Sequence, residues 1–459
     1  MGIPVTIGKA QALSFFLRFV FDPLIQTRRL YDKHGPFVQL TAPTSTVMRP
    51  HYLTVVADSA LYREMLSNDE HWRNVKITIN GIRNNATRRL TYGMHRLRGV
   101  RHDHYRRLIA PALRRTAVEL MAPDMAATVE EQISQWRCNE PVDLLPLTRG
   151  LTQTISSTLL FGSDLNRSEP LCRLISQGIK ASWFLPGFTY LRWAVTAPRL
   201  ERQILKWAKE KRSETNPRDL LSILVNNADE VGNPPDATII VGFTNFLFGA
   251  AYDTCQNGLA WALILLTQYP NIANELADQI DTIWREGELD IVALDALPLL
   301  EGVLKESLRL FPPVPLQFRK TISSTSLGGV PMHRESRVLI SAHVINRDRR
   351  VYEHPDRFLP GRWQHIKPSP FQYTVYGAGG RMCPGTTFGN QLLKVALAAI
   401  LSRYKIELAV GARIDYRSTI TLAPSGSVRV VFRERNHTAR FQRAEGIISQ
   451  LIQLPAATS

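Results

Sequence analysis

The sequence is poor in cysteine, and the arrangement of its cysteines excludes two classes of protein. There are four: Cys138, Cys172, Cys255 and Cys383. They lie far apart and share no CxxC spacing, which excludes a disulfide scaffold and a zinc ribbon. Isolated cysteines of this kind fit a reducing compartment. We therefore expect a cytoplasmic protein whose cysteines are free thiols or single ligands.

Long hydrophobic runs are also missing. A membrane-spanning helix needs about 20 predominantly apolar residues, and the best N-terminal candidate, Ala10 to Phe21, is interrupted by Arg18 and followed by Asp22–Pro23. No small-residue cleavage site follows it, so it is a poor signal peptide. We expect a short amphipathic helix that packs on the body of the protein or rests on a membrane surface as a peripheral contact.

Negative charge is scarce relative to positive charge. The 459 residues include 56 Lys and Arg against 40 Asp and Glu, which gives a net charge of +16. Such an excess implies an acidic protein partner, an anionic membrane surface or nucleic acid. The basic residues are dispersed and form no recognisable nucleic-acid-binding motif, so we expect no nucleic-acid partner. With 44% hydrophobic and 21% charged residues, the composition is that of a globular protein.

The order of patterned segments predicts a mainly α protein with minor β structure. Strand-like pieces occur near the start, at Phe37–Leu40 and His51–Val56, and again at Arg337–Ser341 and Val428–Phe432. The middle of the chain, from about residue 100 to 310, is helical in pattern. We expect one large domain over residues 1–435 with a small N-terminal β region. Residues 436–459 would form a C-terminal extension with a short packed helix.

One predicted helix is apolar on nearly every face. It follows Asn233–Pro234–Pro235, with Asp236 at the N-terminal position, and runs from Thr238 to Leu266. A long helix without a polar face is buried in the centre of a large domain. The sequence therefore predicts a central helix around which the rest of the fold packs.

Cys383 lies in a glycine-rich loop that reads Tyr-Gly-Ala-Gly-Gly-Arg-Met-Cys-Pro-Gly and ends at Gly385. Glycines let a backbone lie close against a flat group and turn so that N–H groups point at the sulfur. Arg381 adds a fixed positive charge two residues earlier. A cysteine is more often a small core residue than a ligand. A glycine-rich loop can also cradle phosphate, but no Gly-Lys-Ser/Thr sequence follows here.

A second group of charged residues precedes this loop. Glu306 and Arg309 share one face of a helix at i, i+3 spacing within an apolar stretch. Arg357 follows in His-Pro-Asp-Arg-Phe, and Leu-Pro-Gly-Arg-Trp comes directly afterwards. The ordinary interpretation of such a pair is a solvated surface ion pair. The apolar surroundings favour a buried one.

The order of these motifs resembles the cytochrome P450 family. Glu-x-x-Arg, then Pro-x-Arg-Phe-x-Pro-x-Arg-Trp, then the cysteine loop occur in the family's order and spacing, and the resemblance covers nearly the whole chain. It implies a single haem domain with the long central helix over the haem. Its cofactor is haem b, with iron axially ligated by the Cys383 thiolate, which favours cleavage of the O–O bond.

The resemblance also implies roles for further residues. His102 and Arg106, one helical turn apart, match positions that hold a haem propionate, and Arg319 and Arg381 match two further propionate contacts. Cationic donors are what two carboxylates at a buried haem edge require. Glu306, Arg309 and Arg357 resemble the family's buried charged triad, which stabilises the cysteine loop and takes no part in the chemistry.

The central helix contains Ala-Ala-Tyr-Asp-Thr, ending at Thr254, which resembles the family's oxygen-activation stretch. Thr254 would steady bound oxygen while Asp253 supplies protons from water. The alternative is that Thr254 bonds only to its own helix and Asp253 caps a neighbour. The sequence departs from the family where Ala251 replaces the usual Gly and Tyr376 the usual Phe. His102 stands where many members have Trp.

Substrate contacts are expected from two segments, Val75–Arg98 and Trp183–Trp193. The second is aromatic and apolar around a Pro-Gly break, which is typical of either a core loop or a lid over an apolar substrate. The first carries four arginines, which are either solvated or able to meet a substrate carboxylate: Arg83, Arg88, Arg89 and Arg96.

The resemblance implies a haem-thiolate monooxygenase that inserts one oxygen atom of O2 into an apolar small molecule such as a terpenoid, a fatty acid or another secondary metabolite. Electrons would come from a ferredoxin with its reductase, or from a flavodoxin-like donor, docking beside Cys383 where arginines of residues 101–115 lie. The alternative is a peroxygenase or a catalyst of peroxide or epoxide rearrangement. The retained Asp253–Thr254 pair argues against it, because those reactions need no proton relay.

Overall fold

Helices make up most of the computed structural model, which describes residues 4–41, 52–75, 85–162, 170, 173–175, 188–212, 219–285, 288–437 and 440–455. Its α-helices, in chain order, are α1 (Lys9–Phe19), α2 (Pro23–His34), α3 (Ser59–Ser67), α4 (Ala86–Leu90), α5 (Gly99–Ile109), α6 (Arg115–Ser134), α7 (Leu144–Phe161), α8 (Phe188–Lys211), α9 (Leu220–Val225), α10 (Ala237–Gln268), α11 (Pro270–Asp281), α12 (Ile291–Asp295), α13 (Pro298–Leu310), α14 (Ala342–Ile345) and α15 (Thr386–Arg403).

The strands are short and form small sheets at the edge of the helical body. In chain order they are β1 (Val5–Ile7), β2 (Phe37–Thr41), β3 (Tyr52–Val56), β4 (Trp72–Asn74), β5 (Pro141–Asp143), β6 (Trp284–Arg285), β7 (Glu288–Leu289), β8 (Leu316–Thr321), β9 (Thr325–Leu327), β10 (Val330–Met332), β11 (Arg337–Ser341), β12 (Tyr404–Leu408), β13 (Asp415–Ser418), β14 (Leu422–Ser425) and β15 (Arg429–Glu434). The largest sheet has the order β1-β2-β3-β11-β8-β4. The predicted N-terminal β region is therefore completed by later strands.

The central helix α10 forms as its sequence pattern predicts. Asp236 is its N-cap and accepts a hydrogen bond at 2.9 Å from the backbone N–H of Ile239. The helix is buried along most of its length, as expected for a segment without a polar face. It packs against α7, α13 and α15. The mainly α prediction with a long central helix is confirmed.

Helix α4 and the residues directly after it lie very close to the N-terminal half of α10. A Cβ atom on Gly242 would lie 2.1 Å from the carbonyl oxygen of Tyr92, so only glycine permits this approach. One turn along, Asn245 Nδ2 donates to the carbonyl oxygen of Leu90 at 2.9 Å. The chain just before α5 is thereby held against the central helix, which positions one wall of the candidate site.

The C-terminal segment is packed against the body and is not a loose appendage. Ile448, Leu451 and Ile452 are buried. The backbone N–H of Gln453 donates to the carbonyl oxygen of Asp356 at 2.8 Å. In place of the short helix suggested by the apolar stripe, the structure has one 3-10 turn, Ile447–Gln450. This segment therefore covers the chain around Asp356, next to the charged cluster that precedes the cysteine loop.

Within the described ranges, no helix is both long enough and apolar enough to cross a bilayer. Helix α1 buries Ala12 and Phe15 against the body. Its outer side exposes Leu13 and Leu17, and Phe21 just beyond its end is 88% exposed. The amphipathic helix expected from the sequence is therefore present, with an apolar outer edge.

Candidate functional site

The loop before α15 holds Cys383 in a defined position. The backbone N–H of Cys383 donates to the carbonyl oxygen of Tyr376 at 2.7 Å, and the Thr386 hydroxyl donates to the Cys383 carbonyl oxygen at 2.9 Å. Gly377 and Gly379 adopt positive φ angles of 68° and 64°, which side chains other than glycine rarely tolerate. Gly377 and Gly379, two of the glycines predicted to shape this loop, are therefore needed for its backbone conformation.

The Cys383 side chain is accessible although protein surrounds it closely. Burial by its surroundings raises the pKa of its thiol, and the Gly385 backbone N–H acts in the opposite direction. In α10, Ala250 is likewise exposed although Gly249 and Tyr252 beside it are buried. Ala250 and Thr254 are one helical turn apart, so they share an accessible strip on an otherwise buried helix.

The neighbourhood of Cys383 also includes α10 itself. The thiols of Cys255 and Cys383 lie close enough to interact electrostatically. Complete burial raises the pKa of Cys255 to about 12, so it remains a protonated thiol. Of these two cysteines, Cys383 is the one that presents sulfur to accessible space.

Arginines from three separate parts of the chain meet near the cysteine loop. Arg106 Nη1 donates to the carbonyl oxygen of Met382 at 2.7 Å, and Arg381 Nη1 donates to that of Leu97 at 2.9 Å. Arg319 lies on β8 and is only 3% exposed. The structure thus brings Arg106, Arg319 and Arg381 together at one edge of the site.

His102 lies on the same edge and is 5% exposed. Burial is the main reason why its pKa is lowered, which favours the neutral ring, and its Nδ1 lies 3.0 Å from Asp103 Oδ1. A neutral imidazole is a hydrogen-bond donor without charge, unlike the three guanidinium groups beside it.

This set of residues fits a haem group. An accessible thiol can serve as a metal ligand, and α10 presents the small residues Ala250 and Thr254 on its accessible strip. In addition, the Nε of Arg319 is buried and has no hydrogen-bond partner among the described residues. Buried donors are ordinarily paired, and a carboxylate such as a haem propionate would satisfy this one.

Glu306 and Arg309 form a fully buried bidentate ion pair. Arg309 Nε and Nη2 donate to the two oxygens of Glu306 at 2.9 and 2.8 Å, and both side chains are 0% exposed. Arg309 Nη1 also donates to the carbonyl oxygens of Asn346 and Pro355. The surface-pair alternative is therefore wrong, and α13 is cross-linked to the chain that leads to the cysteine loop.

The second arginine that pairs with Glu306 is not the expected Arg357. Arg362 Nε donates to Glu306 Oε1 at 3.0 Å, and Trp363 Nε1 donates to Oε2 at 3.0 Å. Arg357 instead donates to the side chain of Gln453, and its backbone carbonyl accepts from Arg309. The triad seen here is Glu306, Arg309 and Arg362, because the C-terminal segment offers Arg357 another acceptor.

Asp253 and Thr254 both have hydrogen bonds within the protein. The Thr254 hydroxyl donates to the carbonyl oxygen of Ala250 at 2.7 Å, which is the back-bonding alternative considered above. The Thr421 hydroxyl, from the hairpin of β13 and β14, donates to Asp253 Oδ2 at 2.9 Å. With its proton engaged by Ala250, the Thr254 oxygen still has lone pairs that can accept a hydrogen bond from a ligand or water.

The hydroxyl that Tyr376 adds to the loop also has a partner, because it donates to Asn390 Oδ1 on α15. Arg89, one of the arginines considered for substrate, pairs within the chain instead. Its Nη2 donates to Glu201 Oε2 at 2.8 Å and thereby joins α4 to α8. Arg96 donates to Thr91. Arg83 and the side chains of residues 183–193 lie outside the described residues.

The sequence patterns did not indicate some residues of the site. Arg362 and Trp363 stood in the recognised motif, so the motif itself was a sufficient signal for them. Asp69, which bonds both Arg319 and Arg381, and Thr421 had no local signal. Each acts on a partner more than 150 residues away along the chain, and spacing does not reveal such a pairing.

Comparisons with known proteins agree with this geometry. A family model described as cytochrome P450 matches residues 196–426. Pentalenene oxygenase of Streptomyces avermitilis is 26% identical over 400 residues, which are 83% of this chain and 86% of the relative. Cyclooctatin synthase of Streptomyces melanosporofaciens is 28% identical over 349 residues, covering 72% of this chain and 76% of the relative.

Solved structures show the same fold. The retinoic-acid-bound cyanobacterial CYP120A1 superposes with a TM-score of 0.76 at 20% identity, covering 89% of this chain and 93% of that one. The cytochrome P450DA haem domain gives a TM-score of 0.78 at 17% identity and covers 92% and 95%. Because the family model matches half of the chain and the relatives span most of it, the chain belongs to the cytochrome P450 family and is a haem-dependent monooxygenase.

Proposed function

We propose that this chain inserts one atom of O2 into an apolar organic molecule, with haem b as the cofactor that the Cys383 thiolate would ligate. The observation that carries the proposal is the position of Cys383, whose accessible side chain is held by a glycine-shaped loop beside the arginines and the central helix α10. A thiolate-ligated haem supplies the oxidising chemistry and the O–O cleavage.

The residues of this chain hold and orient that group. His102, Arg106, Arg319 and Arg381 would bind the propionates, because charge-assisted hydrogen bonds from guanidinium groups are the strongest available at a buried edge. Glu306, Arg309 and Arg362 hold the segment that leads to the cysteine loop in place, and they contact no substrate. Asp253 and Thr254 would move protons into the site.

The proposed substrate class is an apolar ring compound of the terpenoid kind. Relatives named pentalenene oxygenase and beta-amyrin 6-beta-monooxygenase support it, although fatty acids and other secondary metabolites fit an apolar site equally well in chemical terms. A screen of apolar metabolites for binding-induced changes in the haem spectrum, followed by product analysis, would identify the substrate. Polar, charged metabolites alone giving such a change would contradict the proposal.

The electron donor is proposed to be a small acidic protein, a ferredoxin with its reductase or a flavodoxin-like protein. The net charge of +16 supports an acidic partner. Arg115, which pairs with Glu119, is 75% exposed and lines a surface groove with Thr386, three residues after Cys383. We place the enzyme in the cytoplasm, with the exposed apolar edge of α1 available for peripheral membrane contact.

Electron-driven turnover can be distinguished directly from the peroxygenase alternative. With NADPH, a ferredoxin and its reductase, product should form only when O2 is present. Hydrogen peroxide alone should support much less product. Equal activity with peroxide alone would replace the monooxygenase assignment with the peroxygenase one.

Thr254→Ala should uncouple the reaction without damaging the fold. The change removes one hydroxyl whose hydrogen bond lies within α10, so haem loading should remain. NADPH consumption should stay within roughly tenfold of wild type, a barrier change of about 1.4 kcal/mol. Product per NADPH should fall steeply while hydrogen peroxide rises, because the acceptor that orders the proton donor is gone. Thr254→Ser, which keeps the hydroxyl, is the matched control, and full coupling in Thr254→Ala would contradict the role.

Asp253→Asn should slow oxygen-dependent turnover overall, by about tenfold or more, because the amide cannot relay a proton. The side chain can still accept a hydrogen bond from Thr421, so the hairpin contact should survive. Steady-state turnover and the solvent deuterium isotope effect would be measured together. Thr421→Val, which keeps the carboxylate, should have a smaller effect. A wild-type rate in Asp253→Asn would remove this residue from the proton path.

A further inference from the structure

One carboxylate bridges two of the arginines at the edge of the site. Asp69 begins the 3-10 turn Asp69–His71, directly before β4. Its Oδ1 accepts from Arg319 Nη1 at 2.7 Å, and its Oδ2 accepts from Arg381 Nε at 2.9 Å. A residue near the start of the chain therefore joins β8 to the cysteine loop through a single side chain.

The contact with Asp69 matters for stability because both arginines are largely buried. The side chains of Arg319 and Arg381 are 4% and 12% exposed, whereas that of Asp69 is 27% exposed. Removing a guanidinium from water is costly unless an anion pairs with it. Because β4 and β8 are adjacent strands, with Asn74 opposite Arg319, the turn that carries Asp69 is held beside Arg319 by backbone pairing.

The same two guanidinium groups are those that would bind a haem propionate under the function proposed above, on which this inference rests. A carboxylate of the chain and a carboxylate of the cofactor would thus bind the same two guanidinium groups, the first through Arg319 Nη1 and Arg381 Nε and the second through donors that Asp69 leaves free, such as Arg319 Nε. Two like charges close together also repel each other in a site of low dielectric constant.

We propose that Asp69 is a placeholder for a haem propionate: it pairs Arg319 and Arg381 while the chain folds, and it competes with the propionate once haem binds. Two consequences of opposite sign follow. Without the Asp69 charge, the haem-free protein loses the anion that compensates a buried arginine and becomes less stable. The haem-loaded protein loses a competitor, so it releases haem more slowly.

The test compares Asp69→Asn with wild type as full-length proteins. Transfer of haem from the loaded enzyme to excess apomyoglobin is followed by absorbance, and thermal melting of the haem-free chain is followed by circular dichroism. We expect haem transfer to be at least threefold slower in Asp69→Asn and the haem-free chain to melt at a lower temperature. Glu70→Gln is the matched control, because Glu70 lies in the same turn with its side chain 82% exposed, and both measurements should match wild type.

The haem release rate of Asp69→Asn distinguishes the proposed role from a purely structural one. A purely structural role for Asp69 would make Asp69→Asn release haem faster while also lowering the melting temperature, and this would overturn the proposal. Unchanged release would overturn it as well. If the haem-free variant does not fold, the release rate of the loaded enzyme decides alone. Arg319→Gln should release haem faster than wild type, because it lacks one of the guanidinium groups that would bind the propionate. If wild type itself did not bind haem, the proposed function would be refuted together with this inference.

Discussion

Replacing Cys383 with serine is expected to abolish the strongly red-shifted absorption band of the reduced, CO-bound enzyme, which reports thiolate ligation of haem, and to abolish turnover. A serine hydroxyl is neither a soft ligand nor ionised at neutral pH, so it cannot replace the thiolate. The loop should keep its shape, because the hydrogen bonds that position residue 383 involve its backbone N–H and carbonyl group. The variant should therefore be soluble and folded.

Cys255→Ser is the matched control for this experiment. Cys255 lies near the same thiol, but it is buried and its pKa is raised to about 12, so it offers no thiolate to a cofactor. The band should survive in Cys255→Ser, and in Cys172→Ser as well. If Cys255 or Cys172 proved necessary for the band while Cys383→Ser retained it, the ligand assignment would be wrong.

Arg309→Ala is expected to prevent formation of a stable haem-loaded enzyme. The change leaves the buried carbonyl oxygens of Asn346 and Pro355 without their donor and removes the bidentate partner of Glu306. Breaking a buried ion pair by deleting one partner costs about 3–5 kcal/mol. Since whole domains are stable by only about 5–15 kcal/mol, we expect aggregated or haem-poor protein and not a slow, intact enzyme.

Haem content per chain and the melting temperature are the measurements for this variant. Arg362 still donates to Glu306 after the change, so the double change Arg309→Ala and Arg362→Ala should be worse than either alone. Glu301→Ala is the control on the same helix, because it breaks only a half-exposed pair with Lys305. Surface pairs contribute about 0–1 kcal/mol. A soluble, fully haem-loaded Arg309→Ala protein with native melting would refute the structural role.

Sequence patterns located the parts of the fold that depend on nearby residues. The central helix could be predicted because its apolar pattern and its N-cap Asp236 are local features, and the structure has α10 at Ala237–Gln268. Strand β11 matches its predicted bounds, Arg337–Ser341. The cysteine loop could be found for the same reason, since its glycines, Arg381 and Cys383 are consecutive.

Contacts between distant segments could not be predicted in this way. Arg357 was expected to pair with Glu306. Instead, the Arg357 side chain donates to Gln453 in the C-terminal segment, and Arg362 donates to Glu306. Asp69 reaches Arg319 and Arg381 only because β4 pairs with β8. Which of several arginines pairs with a carboxylate depends on strand pairing and packing, and motif spacing contains no information about either.

The monooxygenase reaction is tested most directly by the origin of the oxygen atom in the product. With an apolar substrate identified by the spectral screen, the enzyme is supplied with NADPH, ferredoxin and reductase under isotope-labelled O2, and the product is analysed by mass spectrometry. We predict one labelled oxygen atom per product molecule, and none when the label is in water. Product that carries oxygen from water or from added peroxide, formed equally well without O2 and NADPH, would contradict the account.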